Sequence, residues 1–555
     1  MPWKASLLKI PPGFRDNQIM TVLTLPAPFK ERENKDRYDI THWFLSAVAA
    51  GLLWRFVRFG LHFAITGDES GILRSVMERG YAALLAPLSY SNVSPPLFLW
   101  MTKLLDSLFQ NEWAVRLVPF LAGIGAVGMF GLICRESLRG TARWLAWAVF
   151  CVAYVPIVEG TRVKGYTIDL LVATVMLWCM LRWLNQGRKP RYLVVLALSA
   201  PVFVWFSYTC VFIIAASGFV LIACMITTLF VPDETTHESK TLARRNILAG
   251  LLFMALASAS AISLYVLNVR PGLQASLDNG LADAWNQGYP PAHLLKIPLW
   301  LLAVHTGRGF AWPIGDNHYR SALTCALWLT GLVVYWRRGH RWVWMLFVLP
   351  QVLSLAAAFL HKYPYLQNPR LCFFLAPGIC LFVGQGAQFL LDKLDCRKRL
   401  WSYRLAAFAL AMCAIGGMAR DIVLRVREIK GPGIRSTLAE TSQLIGPDGQ
   451  FVLLNDETVS GVFTYYIKRQ IHQKVWADGQ FPTQTAPDLR LAVLVVTSKL
   501  HDPDPNSLFV DFEKRSRKIL KVTWSQTAQE VLLDSKDGFT VWVCEPEMAK
   551  FGGNY

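Results

Sequence analysis

Ile65-Thr66-Gly67-Asp68-Glu69-Ser70 closes a long apolar run, and two adjacent carboxylates stand where the run stops. The run begins near position 43 and has the roughly twenty residues that cross about 30 Å of hydrocarbon. Ser94-Pro95-Pro96-Leu97-Phe98-Leu99-Trp100 follows further on. A carboxylate pair at the lip of a membrane span suits an inert loop poorly. It suits a proton acceptor working on a lipid-borne substrate.

Working outward, the rest of the chain repeats this pattern. Of 555 residues, 54% are hydrophobic and 17% charged, with 21 Trp and 32 Phe. A soluble domain carries about 25% charge. The apolar excess comes in span-length blocks, which predicts an α-helical polytopic membrane protein. The net charge of +18 lies largely in short loops between spans, so it speaks for topology and against nucleic-acid binding. Most of the 11 cysteines sit inside apolar runs (Cys151, Cys179, Cys210, Cys224, Cys413), without metal-ligand spacing, and read as small packing residues.

Residues 1–42 contain Pro11-Pro12 and a charged run from Lys30 to Arg37 but no secretory apolar core, and read as a cytoplasmic tail. Residues 43–423 form the membrane domain. Spans are expected at 43–65, 117–134, 144–158, 167–184, 192–208, 210–230, 246–267, 321–336, 342–360, 371–391 and 405–423, about eleven in all. Ser207-Tyr208-Thr209 supplies the turn that divides the 192–230 block. The first span carries Arg55, Arg58 and His62. A charge near mid-bilayer costs about 2.5–3.5 kcal/mol, so these side chains either pair between helices or meet a lipid phosphate. Pro96 to Phe109 reads as an amphipathic surface helix with Lys103 and Asp106 on its wet side. Leu295 to Val304 is apolar but too short to span.

Basic loops set the orientation. Arg135, Arg139 and Arg143, then Arg182, Arg188, Lys189 and Arg191, then Lys240, Arg244 and Arg245, then Arg337, Arg338 and Arg341, then Lys393, Arg397, Lys398 and Arg399 alternate with the spans. The positive-inside rule makes them cytoplasmic. Loops 66–116, 159–166, 268–320 and 361–370 are then external, and so are residues 424–555. That last segment alternates short apolar stretches (Phe451 to Leu454, Leu491 to Val496, Thr540 to Cys544) with helical ones such as Val459 to Lys468. It reads as a small α/β domain without a catalytic motif.

This orientation gathers the unusual polar residues on one face. They are Asp68 and Glu69, then Glu159, Arg162, Lys164, Tyr166 and Asp169, then Asp316 and His318, then His361, Lys362, Tyr363, Tyr365 and Arg370. Each has a plain alternative: Asp68-Glu69 as acids opening a helix, Arg162 and Lys164 as loop charges, Arg370 as the border of its span, Asp316 and His318 as solvated loop residues. Asp169 sits just inside a span, where acids are rare and usually functional, though it too has a structural alternative. Arginine's planar fork grips phosphate oxygens, and a neighbouring carboxylate can accept a proton.

Gly67-Asp68-Glu69, Pro95-Pro96-Leu97-Phe98-Leu99-Trp100 and Glu112-Trp113-Ala114-Val115-Arg116-Leu117 together resemble the opening of the polytopic GT-C glycosyltransferases. These include protein O-mannosyltransferases, lipid A aminoarabinose transferases and related bacterial sugar transferases. Arg162 to Asp169 (RVKGYTID) is similar to their second-loop segment, and His361-Lys362-Tyr363-Pro364 with Arg370 and Pro377 is similar to a late one. Lys164-Gly165-Tyr166 stands where many relatives have Arg-Pro-Tyr, and Ser94 where Lys is common. The resemblance covers about residues 43–391.

It implies a polyprenyl-phosphate-linked sugar as donor, an acceptor that is a lipid, a glycan or a protein, and transfer with inversion on the external face of a bacterial inner membrane. It implies Asp68 as general base, with Glu69 and Asp169 orienting the substrates. Arg162, Lys164, Tyr166, His361, Tyr363 and Arg370 would hold the donor and its phosphate. No cofactor is required, since cations offset the leaving-group charge; a divalent cation near Asp68, Glu69 and Asp169 is the alternative. A lipid-linked-sugar transporter needs charges deep in several spans, and 117–134, 210–230 and 371–391 carry none centrally. A non-catalytic scaffold for the external domain leaves the acids at the lip unexplained.

Overall fold

The computed structural model describes residues 36–88, 93–230, 237–278, 285–315, 319–430, 434–453, 457–476, 491–497, 516–525 and 538–546. The tail before residue 36, and Asp316 and His318, lie outside the described residues.

The chain enters through α1 (Asp36–Leu61), then α2 (Gly67–Glu78), α3 (Pro96–Phe109), α4 (Glu112–Ser137), α5 (Thr141–Cys151), α6 (Tyr154–Glu159) and α7 (Tyr166–Asn185). It continues with α8 (Arg191–Phe206), α9 (Cys210–Phe230), α10 (His237–Leu264), α11 (Arg270–Asp278) and α12 (Ile297–Thr306). Then come α13 (Ala322–Arg337), α14 (Arg341–Phe359), α15 (Ala376–Leu391) and α16 (Cys396–Lys430).

Among the described residues, eight helices are long and apolar enough to cross a membrane, and α8 and α13 are shorter apolar helices. The protein is an integral membrane protein of α-helical class. The expected span at 144–158 is two short helices, α5 and α6, broken at Val152–Ala153. The break releases the backbone that leads to the Glu159–Lys164 loop.

Small residues and caps build the bundle. A Cβ at Gly331 or Gly386 would run into the Phe382 or Leu327 carbonyl, so α13 and α15 pack backbone to backbone only because both positions are glycine. Asn111 caps α4 by accepting from the Ala114 amide at 2.9 Å. The Thr167 hydroxyl donates to the Pro119 carbonyl at 2.7 Å and fastens α7 to α4.

The charges of the first span pair inside the protein. Asp421 on α16, fully buried, accepts from Arg58 at 2.6 Å and from the Trp54 indole at 2.7 Å. Arg55 donates to the Gly51 and Cys151 carbonyls. His62 lies 3.5 Å from Glu112. Arg58 therefore takes the ion-pair option, with α16 lying along α1.

Helix α3 has the expected bounds, but Lys103 and Asp106 turn to protein. Asp106 is 1% exposed and pairs with Arg469, and Lys103 donates to the Val76 carbonyl at 2.8 Å. Met101, Leu104, Leu108 and Phe109 are exposed, while Phe98 and Leu99 are buried on the same side as Asp106. The ion pair with Arg469 of the C-terminal segment draws Asp106 inward.

After α16 the chain forms α17 (Ile434–Ile445) and α18 (Glu457–Tyr466) with strands β1 (Gln450–Leu453), β2 (Lys474–Trp476), β3 (Leu491–Thr497), β4 (Ser516–Ser525) and β5 (Gly538–Pro546). The sheet order is β2-β1-β3-β5-β4. Strand β1 is parallel to β2 and β3, and β5 is antiparallel to β3 and β4. Helix α18 packs on α2, so this α/β unit sits on the end of the bundle that carries Asp68.

Candidate active site

Thr66 starts α2 with a reciprocal cap. Its side chain faces the Glu69 amide, and Glu69 Oε2 accepts from the Thr66 amide and hydroxyl, each at 3.0 Å. The cap turns the two neighbouring acids in opposite directions, Glu69 into the protein and Asp68 out of it.

Glu69 is fully buried. Its Oε1 accepts from Arg116 Nη2 at 2.9 Å, from Arg116 Nε at 3.1 Å and from the Val163 amide at 2.9 Å. Burial alone would raise its carboxyl, but Arg116 and the amides reverse this and hold it below the ordinary range. Glu69 thus ties α2 to α4 and to the loop before α7.

Asp68 keeps 42% of its side chain exposed. Its Oδ1 lies 3.2 Å from Lys164 Nζ and its Oδ2 lies 2.5 Å from Arg370 Nη1. Partial burial pushes the carboxyl up, while Lys164 and Arg370 outweigh it and hold the group well below its usual value. The Arg370 guanidinium lies 5.6 Å over the Tyr166 ring, which fixes its plane. Three separate loops therefore meet at one carboxylate.

Glu159 and Arg162 flank this cluster. Arg162 donates to Glu159 Oε1 at 3.1 Å. Burial raises the Glu159 carboxyl, and its Oε2 has no hydrogen-bond partner among the described residues.

The other candidate residues have surroundings of their own. Glu69 does not face the open side, because both its oxygens are used inside. Asp169 lies beside the hydroxyls of Ser207 and Thr209 at the α8–α9 turn, and its Oδ1 has no hydrogen-bond partner among the described residues. Tyr363 donates its hydroxyl to the Leu371 carbonyl at 2.6 Å and packs its ring among Phe212 and Phe374. The Tyr365 hydroxyl meets Gln351 and His305. His361 is exposed and its ring lies 4.9 Å from that of Tyr289. Asp68 and Glu69 face opposite ways, and no His, Cys, Asp and Glu group suited to a metal occurs among the described residues. The cavity of about 540 Å³ lined by Leu329, Val333, Arg337, Arg338 and Phe389 shares no residue with the Asp68 cluster.

Two supporting residues lie in a quoted motif without having been given a role, Glu112 and Arg116. Their signal in the sequence is a pair of opposite charges four apart where an apolar helix begins.

Residues 93–237 match the family described as dolichyl-phosphate-mannose-protein mannosyltransferase. The crystal structure of ArnT from Cupriavidus metallidurans in the apo state superposes with a TM-score of 0.50 at 14% identity, covering 93% of this chain and 99% of that one.

The fold is GT-C.

The same ArnT bound to undecaprenyl phosphate gives a TM-score of 0.48 at 14% identity, covering 93% of this chain and 100% of that one. The Archaeoglobus fulgidus oligosaccharyltransferase in the apo form, also GT-C, gives 0.45 at 12% identity, covering 82% and 69%. No curated protein matches in sequence. Within the GT-C fold of this chain, the family match spans α3 through α9, and so includes the Lys164 loop and Asp169 but neither Asp68 nor Arg370.

Proposed function

We propose that this chain is a membrane glycosyltransferase that moves a sugar from a polyprenyl-phosphate donor to a lipid, glycan or protein acceptor. The observation that carries this reading is Asp68 held between Lys164 and Arg370 where α2 begins. The family match to dolichyl-phosphate-mannose-protein mannosyltransferases supports the donor class.

The donor phosphate sits on Lys164 and Arg370, which offer a point charge and a planar fork. It competes with Asp68 for both cations. As they turn to the phosphate, the Asp68 carboxylate loses their stabilisation and its basicity recovers. The acceptor's O–H or N–H then attacks the anomeric carbon. The bond from that carbon to the phosphate oxygen breaks and its electron pair leaves with the polyprenyl phosphate. Asp68 takes the acceptor proton. The leaving group is already a stable anion, so it needs cations rather than a proton donor. A single displacement inverts the sugar. In this reading Lys164 and Arg370 supply the charge compensation, and no metal is required.

The basic loops support placing this site on the external face of a bacterial inner membrane. The test uses purified protein in lipid nanodiscs with a labelled polyprenyl-phosphate sugar, comparing wild type with Asp68→Asn. Transfer in wild type and its loss in Asp68→Asn is the expected outcome. Equal turnover in both removes Asp68 as base. Movement of the lipid-linked sugar between leaflets without transfer favours a transporter.

A further inference from the structure

The segment His62–Thr66 carries the chain from α1 into the helix that presents Asp68. Residues far away in sequence grip its backbone. Arg116 on α4 donates to the Phe63 carbonyl at 2.6 Å and to the Ala64 carbonyl at 3.3 Å. Arg435, on α17 of the C-terminal unit, donates to the His62 carbonyl at 3.2 Å and to the Phe63 carbonyl at 3.4 Å. Tyr466, at the end of α18, accepts from the Ile65 amide at 2.8 Å. Carbonyls 62, 63 and 64 and amide 65 are thus held in succession.

The grip has a hub. Glu112, 1% exposed, accepts from Arg435 at 2.6 Å, from Gln470 at 2.8 Å and from Tyr466 at 3.3 Å, and lies 3.6 Å from Arg116. Arg116 in turn holds Glu69, the residue after Asp68, in the buried pair described above. Helix α18 also presses on α2 itself. A Cβ on Gly461 would come within 2.8 Å of the Ser70 hydroxyl, one turn beyond Gly67.

We infer that the C-terminal α/β unit is a positioning device for Asp68, acting through Arg435, Tyr466 and Gln470 on Glu112 and the 62–66 strap. This deepens the transferase reading and rests on it for the role of Asp68. The physical need is clear. Asp68 meets two cations from two other loops, and a strap without regular secondary structure does not hold a carboxylate in place by itself. Arg435, Tyr466, Gln470 and Glu112 are positioning residues.

The test uses the full chain in nanodiscs and reads hydrogen exchange in peptides covering residues 62–70 and 450–476. Two variants are compared with wild type: Tyr466→Phe, which removes the hydroxyl that accepts from the Ile65 amide and donates to Glu112, and Arg435→Met. Exchange at 62–70 should rise in both, with the protection of β1 and β2 unchanged, and Arg435→Lys should recover part of the protection. Turnover of the labelled polyprenyl-phosphate sugar should then fall roughly 10- to 100-fold in kcat, with the donor KM near wild type, as for a misplaced catalytic group. Wild-type exchange at 62–70 in Tyr466→Phe overturns the proposal, whatever Arg435→Met does to the fold. Raised exchange in that segment with no turnover in wild type leaves the positioning role standing and sinks the transferase reading instead.

Discussion

Asp68 and Arg370 are 302 residues apart in the chain and meet as an ion pair, Oδ2 to Nη1, at 2.5 Å. Lys164 holds the other oxygen of the same carboxylate at 3.2 Å. A cation pair already satisfied by an acid binds a second anion only in competition with it. That competition makes the first prediction specific in direction. Asp68→Asn should bind undecaprenyl phosphate more tightly, by roughly two- to fivefold, since a half-exposed pair contributes about 0.2–1 kcal/mol. It should lose transfer at the same time. Tryptophan fluorescence titration with the lipid phosphate measures the first effect. Weaker binding in Asp68→Asn means that the carboxylate does not compete for these cations.

Removing the cations should act in the opposite sense. A hydrogen bond to a charged group contributes about 1.5–3 kcal/mol, so Arg370→Ala and Lys164→Ala should each weaken binding of the lipid phosphate about 10- to 100-fold. Arg370→Lys keeps the charge and loses the fork and the contact over Tyr166. It should fall between the two. If Arg370→Ala binds as wild type does, the phosphate sits elsewhere.

The Glu69–Arg116 pair invites a stability experiment. Both side chains are buried, and removing one partner of such a pair costs about 3–5 kcal/mol because the other is left uncompensated. Glu69→Gln should lower the thermal unfolding midpoint of the solubilised protein sharply. Glu69→Gln with Arg116→Met should recover part of the loss, and only part, because Arg116 also holds the Phe63 and Ala64 carbonyls. A Glu69→Gln midpoint equal to wild type would show the pair to be dispensable.

The helical membrane class is legible in the sequence because span-length apolar runs are long, strong signals. The turn at Ser207–Thr209 and the α/β alternation after α16 are legible for similar reasons of length and period. Side-chain direction is not. Asp68 and Glu69 are adjacent and chemically alike, yet the Thr66 cap sends one outward and the other into the core. Asp169 lies beside the hydroxyls of Ser207 and Thr209, and no spacing rule reports on a turn between two other helices. Helix α3 keeps its predicted length, but its pattern does not foretell that Arg469, far along the chain, pairs with Asp106 and buries it. The Glu112 hub joins residues of α4 to the C-terminal unit more than three hundred positions later, a link that local pattern does not contain.

Topology is open to direct labelling. Gly80 is exposed and has nothing within 4 Å of where a Cβ would sit, so Gly80→Cys is structurally neutral. The native Cys396 is exposed at the start of α16, within one of the basic loops. With the basic loops inside, an impermeant thiol reagent should reach Cys at position 80 in intact cells and Cys396 only after lysis. The reverse pattern inverts the proposed orientation.

The last prediction concerns acid. His62 follows α1, where the C-terminal unit meets the bundle, and its imidazole is held neutral. Burial is the main cause, reinforced by the positive fields of Arg435, Arg116 and Arg425, and together they push it down to about 3. In the unfolded chain it titrates near about 6.5. As pH falls through that value the unfolded state takes up a proton that the folded state refuses. Stability that is fully present above the unfolded value is therefore lost progressively toward the folded one. His62→Asn removes this term. Between about pH 7.5 and pH 5, on the flank of that unfolded value, the unfolding midpoint of wild type should drop further than that of His62→Asn. Equal drops would mean that His62 takes up its proton in the folded protein as readily as in the unfolded chain, with Glu112, 3.5 Å away, accepting the charge.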